Sequence, residues 1–311
     1  MNDYTIFYKT RLQITKDWSD NQWDLFFSAY NASERVKTVF SKIIASHKEW
    51  LLFHDYAFEE NEYPPEPSFL PENPYEAAFI HEFFSRFPDL DHKKLCIDIT
   101  GFMRPHLIFL LKYLKDNNIK EIDILYSEPE RYSDEEKTKF SDESVREIRQ
   151  IAGFEGSHNP DNSNDILIIG SGYDHMLIAQ IAEYKEYAKK IQIFGLPSLQ
   201  AIMYQENILR ALKAEEYIGT TAIGFNSYFA PANDPFVTAE VLSSIVENQG
   251  QYTNLYLCPV STKTQALGFA LYYLTECIGK PISIIFPFTR TYSKETSKGI
   301  SRIWKYTIEF P

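Results

Sequence analysis

Cysteine is scarce in this chain, with three residues in 311, at positions 96, 258 and 277. An odd, widely spaced trio excludes a disulfide framework, and without a CxxC pair it offers neither a zinc knuckle nor a dithiol redox centre. Cys96 and Cys258 fall inside apolar runs and read as buried free thiols. Positive charge is in deficit, with 31 Lys+Arg against 43 Asp+Glu and a net charge of −12. That sign argues against an extended nucleic acid as main partner, because neutralising phosphates needs a broad basic face. A small anion gripped by a few local cations is still allowed. No apolar stretch approaches the roughly 20 residues of a membrane span, and the longest lies near Leu107–Leu114. The N-terminus MNDYTIFYKTRLQ lacks the basic-then-apolar order of a signal peptide. A soluble, cytoplasmic protein with no membrane partner is expected. HExxH, a spaced histidine cluster and GxSxG are all missing, so neither a metal nor a cofactor is expected, and no catalytic residue stands out.

What is present is a globular composition, 44% apolar and 15% aromatic, arranged as short apolar runs alternating with helical spacing. Shifting the chain by 160 residues lays Leu95–Ser141 on Leu255–Ser301 without gaps and with 13 identities in 47 positions. In each copy an apolar strand (LCIDI, LYLCPV) meets a polar elbow, then a helix, a Lys-containing turn, a second strand and a Tyr-Ser loop. The same shift puts Ile6 on Ile166, so TIFYKT and DILIIG are expected as equivalent opening strands. Apolar strands joined by helical crossovers predict parallel sheets buried on both faces. The expectation is an α/β fold of two tandem Rossmann-like units related by internal duplication. The units span 1–152 and 165–311, with the polar stretch 153–164 as linker. DILIIG, IQIFGLP, EYIGTTAIGFN, NLYLCPV and ISIIFPF are the second unit's strands, and KGISRIWKYTIEF ends the chain as an edge strand.

In open parallel sheets ligands collect where strands end and helices begin, so the elbows supply the candidates. After DILIIG come Gly170, Ser171, Gly172, Tyr173, Asp174 and His175. This is either a turn with Asp174 capping a helix or a seat for one phosphate or ribose. After LCIDI come Thr100, Gly101 and Arg104, and after LYLCPV come Ser261, Thr262 and Lys263. Hydroxyls beside one cation at a helix opening suit phosphate, and they equally suit ordinary capping. Following the last strand of each copy are Arg131-Tyr132 and Arg290 with Tyr292, where a guanidinium and a phenol could hold phosphate and base, or simply pack a loop. The loop Asn226–Asp234 has the same ambiguity. Asp98 ends an apolar strand, where it could orient Arg104, brace the elbow or act as a base. His54, His106 and His175 read as cap or surface histidines before catalytic ones.

The segment LCIDITGFMRP resembles the Asp-x-Thr-Gly-Gly-x-Lys/Arg motif of CRISPR-associated Rossmann-fold (CARF) sensor domains. Asp98, Thr100, Gly101 and Arg104 match it, and Phe102 replaces the second glycine. Two such units in one chain also resemble the SAVED sensors of bacterial antiphage systems. The resemblance implies a sensor that binds a small nucleotide-derived anion of the cyclic oligonucleotide class between its halves. Arg104, Lys263, Arg290 and Arg131 would grip phosphates. Thr100, Ser261, Thr262 and the Gly170–Gly172 turn would donate hydrogen bonds, and Tyr173, Tyr132 or Tyr292 would stack on bases. An effector would be supplied in trans or by a homo-oligomer. Two alternatives stand beside it: a metal-independent phosphodiesterase, nucleotide glycosidase or transferase in the same pocket, using Asp98, Asp174 or His175, and a non-catalytic scaffold whose elbows are merely caps.

Overall fold

The structure is a computed structural model that describes residues 3–4, 7–16, 18–19, 21–132, 145–172, 174–200, 205, 209 and 226–310. Its elements begin with β1 (Tyr8–Leu12), β2 (Gln22–Ala29), α1 (Glu34–Lys42), β3 (Ile44–Leu51), β4 (Ser68–Phe69), α2 (Glu76–Phe84) and β5 (Leu95–Asp98). Next come α3 (Arg104–Asp116), β6 (Glu121–Glu128), β7 (Arg131–Tyr132), β8 (Val145–Gln150), β9 (Ile166–Ser171), α4 (His175–Tyr184) and β10 (Lys189–Gly195). The last are β11 (Ser227–Ala230), α5 (Pro235–Asn248), β12 (Leu255–Pro259), α6 (Lys263–Tyr272), β13 (Ile282–Thr289), β14 (Ser297–Lys298) and β15 (Arg302–Glu309). A π-helical turn, Tyr273–Cys277, extends α6.

Two compact units form, and neither is one continuous stretch. The N-terminal unit is Ile6–Phe140 with Thr291–Pro311, and the C-terminal unit is Ser141–Arg290 with Met1–Thr5. The linear division expected from sequence, 1–152 and 165–311, is therefore replaced by an exchange of flanking segments. Nor is 153–164 a free linker. Its approach is laced to β13 by Ile151 N–H donating to Ile284 O (2.9 Å), and Ser157 N–H donates to Lys280 O (3.0 Å). The Asn254 side chain then accepts from Asn159 N–H (2.8 Å).

Both units are Rossmann-like α/β folds. The N-terminal sheet runs β1-β15-β6-β5-β2-β3-β4 and the C-terminal sheet runs β11-β10-β9-β12-β13-β8. In each, five strands are parallel: β6, β5, β2, β3 and β4 in one, and β13, β12, β9, β10 and β11 in the other. Counted from each unit's first parallel strand, both orders are 3-2-1-4-5, a doubly wound half-sheet whose direction of winding reverses beside that strand. The next place is antiparallel in both, and there the chain crosses over. β8 follows β6 in sequence yet pairs with β13, whereas β15 follows β13 yet pairs with β6. KGISRIWKYTIEF is thus an inner strand, with β1 outside it. The counterpart of β9 is β2, not the TIFYKT strand. In register with β5 and β12, Leu25 takes the place of Ile166, so the sequence shift there is 141 instead of 160, and β1 is an added edge.

The reason is visible in the residues. β2 (QWDLFFSA) is buried over most of its length, while β1 (YKTRL) is largely exposed. Successive residues of β2 face opposite sides. Phe26 packs on Phe40 of α1 (centroids 5.7 Å), and Phe27 meets Phe83 of α2 edge-on at 4.7 Å. α1 buries Val36, Val39 and Phe40 on one face, and Phe40 stacks flat on Trp50 at 3.8 Å. All three cysteines are buried free thiols. Among the described residues, no helix is long and apolar enough to cross a membrane.

Candidate functional site

At the carboxyl end of β5 the sequence turns polar after a fully buried run. Asp98 lies wholly inside, and both its oxygens accept bonds: Oδ2 from Ser28 Oγ–H (3.1 Å) and Oδ1 from Thr100 N–H (3.0 Å). Burial raises its pKa above 3.8, opposed by the Thr100 and Ser28 bonds and by the charge of Arg35. Thr100 Oγ1 accepts from Ser127 N–H (3.0 Å) and ties β5 to the end of β6. Gly101 packs where no side chain fits: a Cβ would overlap the Ala29 carbonyl oxygen and stand 3.1 Å from the Ala29 carbonyl carbon. Its own carbonyl accepts from Tyr56 Oη–H (2.7 Å). The glycine of the motif is therefore required by packing between the β5 and β2 elbows. Arg104, half-buried, is the first residue of α3, and its charge reaches the Tyr126 and Tyr132 phenols.

The residue that sequence reasoning missed is Arg35, the second residue of α1. It is 7% exposed, and its Nη1 donates to Ser127 O at 2.5 Å. Because β5 lies between β2 and β6, this side chain crosses the carboxyl end of β5. Its charge opposes the upward shifts that burial imposes on Tyr56, Tyr126 and Tyr132; Tyr56 is pushed up to about 12. The signal was the capping pair Asn31 and Ser33 after an apolar run. Asn31 Oδ1 accepts from Ser33 N–H (3.0 Å), and Ser33 Oγ accepts from Arg35 N–H (3.3 Å).

Tyr292 belongs here too, although its sequence position suggested the second copy. Its N–H donates to Asp55 O (2.9 Å), and the next turn is tied down by Ala32 N–H donating to Lys294 O (3.1 Å). Tyr132, half-buried, pairs with Ser297 in the β7–β14 ladder. Asp98, Thr100, Gly101, Arg104, Tyr132 and Tyr292 are thus gathered with Arg35, Tyr56 and Tyr126 in the N-terminal unit. Arg131 is exposed on β7. His54 is held through Nε2 by Pro71 O (2.8 Å).

In the C-terminal unit the elbows are engaged mainly with each other. Ser171 Oγ–H donates to Gln192 Oε1 (2.7 Å) inside the sheet. A Cβ on Gly172 would overlap the Val260 carbonyl oxygen, and one on Gly170 would press Ser261 Oγ at 2.8 Å. Asp174 caps α4 by accepting from Leu177 N–H (3.2 Å). Thr262 caps α6 by accepting from Gln265 N–H (3.2 Å), and its hydroxyl donates to Ala232 O (2.6 Å). Within the Asn226–Asp234 loop, Asp234 caps α5. Lys263 is the first residue of α6, in the place Arg104 has on α3, and Arg290 is exposed beyond β13. Tyr173 lies outside the described residues, as does most of QENILRALKAEE and of EYIGTTAIGFN. No group of three or more His, Cys, Asp or Glu is placed to hold a metal among the described residues.

The fold and its sites define the class of protein as a pair of Rossmann-like α/β units. No family model matches the chain, and no curated protein matches it. Among solved structures, the chain is similar to a precorrin-6A reductase, CobK, over 85% of this chain and 88% of that one, at 10% identity and a TM-score of 0.25. A likeness of that size carries no argument.

Proposed function

We propose that the chain is a sensor of the CARF and SAVED kind, binding a small nucleotide-derived anion of the cyclic oligonucleotide class in bacterial antiphage defence. Its effector would be a partner protein or a further copy of the chain. The observation that carries this reading is the placement of Arg104 and Lys263. Each is the first residue of the helix that follows the strand beside the winding reversal, β5 in one unit and β12 in the other. Free amides at a helix start and a cation on its first residue act together on a phosphate. The matching segment Asp98, Thr100, Gly101 and Arg104 supports the CARF part of the reading. We also take the two units to be copies of one ancestral unit, on the common strand order and the 160-residue shift. Catalysis by Asp98 has less behind it, since Ser28 and Thr100 already occupy both carboxylate oxygens.

Isothermal titration with a panel of cyclic and linear oligonucleotides tests the proposal. Binding to one of them, weakened about tenfold or more by Arg104→Ala or Lys263→Ala, is the expected result. Silence across the panel, or affinity indifferent to both substitutions, refutes it.

A further inference from the structure

We propose that Arg35 is the primary phosphoryl-binding group of the N-terminal unit, a site built for one oxyanion at the carboxyl end of β5. The inference rests on the anion-sensor reading but makes a narrower claim. A guanidinium offers five N–H donors in a planar fork and stays charged under all ordinary conditions. Arg35 is 7% exposed, and among the described residues its side chain makes one hydrogen bond, to the neutral carbonyl of Ser127. Its Nε has no partner, and no carboxylate among the described residues is within ion-pair distance of it. Buried arginines are ordinarily paired with an acid, because an uncompensated charge away from water is strongly unfavourable. The buried Asp98 feels this charge, but both its oxygens already accept from Ser28 and Thr100, and a clasp on Ser127 O would need only a neutral donor, so Nε is left for a negative guest.

The placement agrees. Arg35 stems from the first turn of α1, whose N-cap is Ser33, and its side chain reaches across β5 to β6. It therefore overlies the reversal point between β2 and β5, where this fold gathers ligands. The phenols of Tyr56, Tyr126 and Tyr132 all lie within reach of its charge. The C-terminal unit lacks the feature: the second residue of its corresponding helix α4 is Met176, which is 37% exposed. Where Arg104 has Lys263 as its counterpart, Arg35 has none. The consequence is one phosphoryl site of this type per chain.

The test uses the full chain with inorganic phosphate, pyrophosphate, adenosine and a linear diadenylate, read by thermal shift and titration calorimetry. Phosphate and pyrophosphate are expected to stabilise the wild type at one site per chain, whereas adenosine is not. Arg35→Met is expected to lose that response, with pyrophosphate affinity falling about 30-fold or more, the scale of charge-assisted bonds. Arg35→Lys, which keeps the charge, should retain part of it and controls for a Met variant that folds poorly. Equal stabilisation of wild type, Met and Lys variants, or no stabilisation of the wild type by either anion, overturns the inference. If nucleotides bind and Arg35→Met leaves them unaffected, the sensor reading survives and this site falls. If pyrophosphate binds through Arg35 while no nucleotide binds more tightly, the site stands and the nucleotide reading falls.

Discussion

Replacing Gly101 by alanine tests whether the elbow glycine serves packing. Its φ is not in the left-handed region, so the substitution carries no backbone strain and only the new methyl counts. That methyl would stand 3.1 Å from the Ala29 carbonyl carbon and overlap its oxygen, and both atoms are backbone, which cannot swing aside as a side chain does. The β5 elbow must withdraw from β2, which also strains the bond from Tyr56 to Gly101 O. Overpacking of about 2 kcal/mol and a weakened buried hydrogen bond of about 1 kcal/mol give a destabilisation of about 3 kcal/mol. Because two units need not unfold together, the assay is hydrogen exchange on the slow amides of β2 and β5. Three kcal/mol corresponds to about 100-fold faster exchange there. Gly250→Ala is the control: it sits at φ +70° with nothing within 4 Å, and its cost of about 1 kcal/mol is purely conformational. Protection of β2 and β5 within about twofold of wild type in Gly101→Ala would refute the packing account.

Two other outcomes follow from the same contacts. Asp98 holds its proton more tightly folded than unfolded, so stability should fall as pH rises from its ordinary 3.8 through its raised folded value; Asp98→Asn should flatten that slope in urea melts across pH, and an unchanged slope would remove Asp98 as its cause. Truncation after Ser301 deletes β15, leaving β1 without its partner and the buried Glu128 without the 2.6 Å bond from Trp304 Nε1; β6 should then exchange rapidly and the chain self-associate through the bared edge, whereas a monomer with β6 still protected would contradict the topology.

The parallel strands were legible where the chain writes them as uninterrupted apolar runs, as in LCID, ILIIGS and LYLCP. β2 was harder, because it opens on Gln22, Trp23 and Asp24 and begins to look like a strand only at Leu25. Missing it concealed the elbow after it, and with that elbow Arg35. Elbow capping was readable as one of two alternatives: Asp174 does cap, whereas at the hydroxyl elbows the caps expected at Thr100 and Ser261 fall on Met103, which makes no side-chain cap bond, and on Thr262. Ser171 could not be assigned from sequence, since its partner Gln192 lies on another strand. The crossing of β8 and β15 ran against a sound expectation, that consecutive elements settle beside each other. Nothing in VREIRQ or RIWKYTIE says which of two similar sheets will take it. The loop carrying Tyr292 moved with β15, so a residue counted with one unit works in the other.

The interlaced strands also bear on how the protein is made. A ribosome delivers residues 6–140 first, yet the sheet they belong to waits for Arg302–Glu309, which emerge only after the whole stretch Ser141–Arg290. At roughly 5–20 residues per second, the intervening stretch of about 160 residues takes on the order of 8–30 s to synthesise. During that time the outer flank of β6 is open to strangers, and the C-terminal unit, whose last strand β13 precedes β15 in the chain, can complete its sheet before the part that was translated ahead of it.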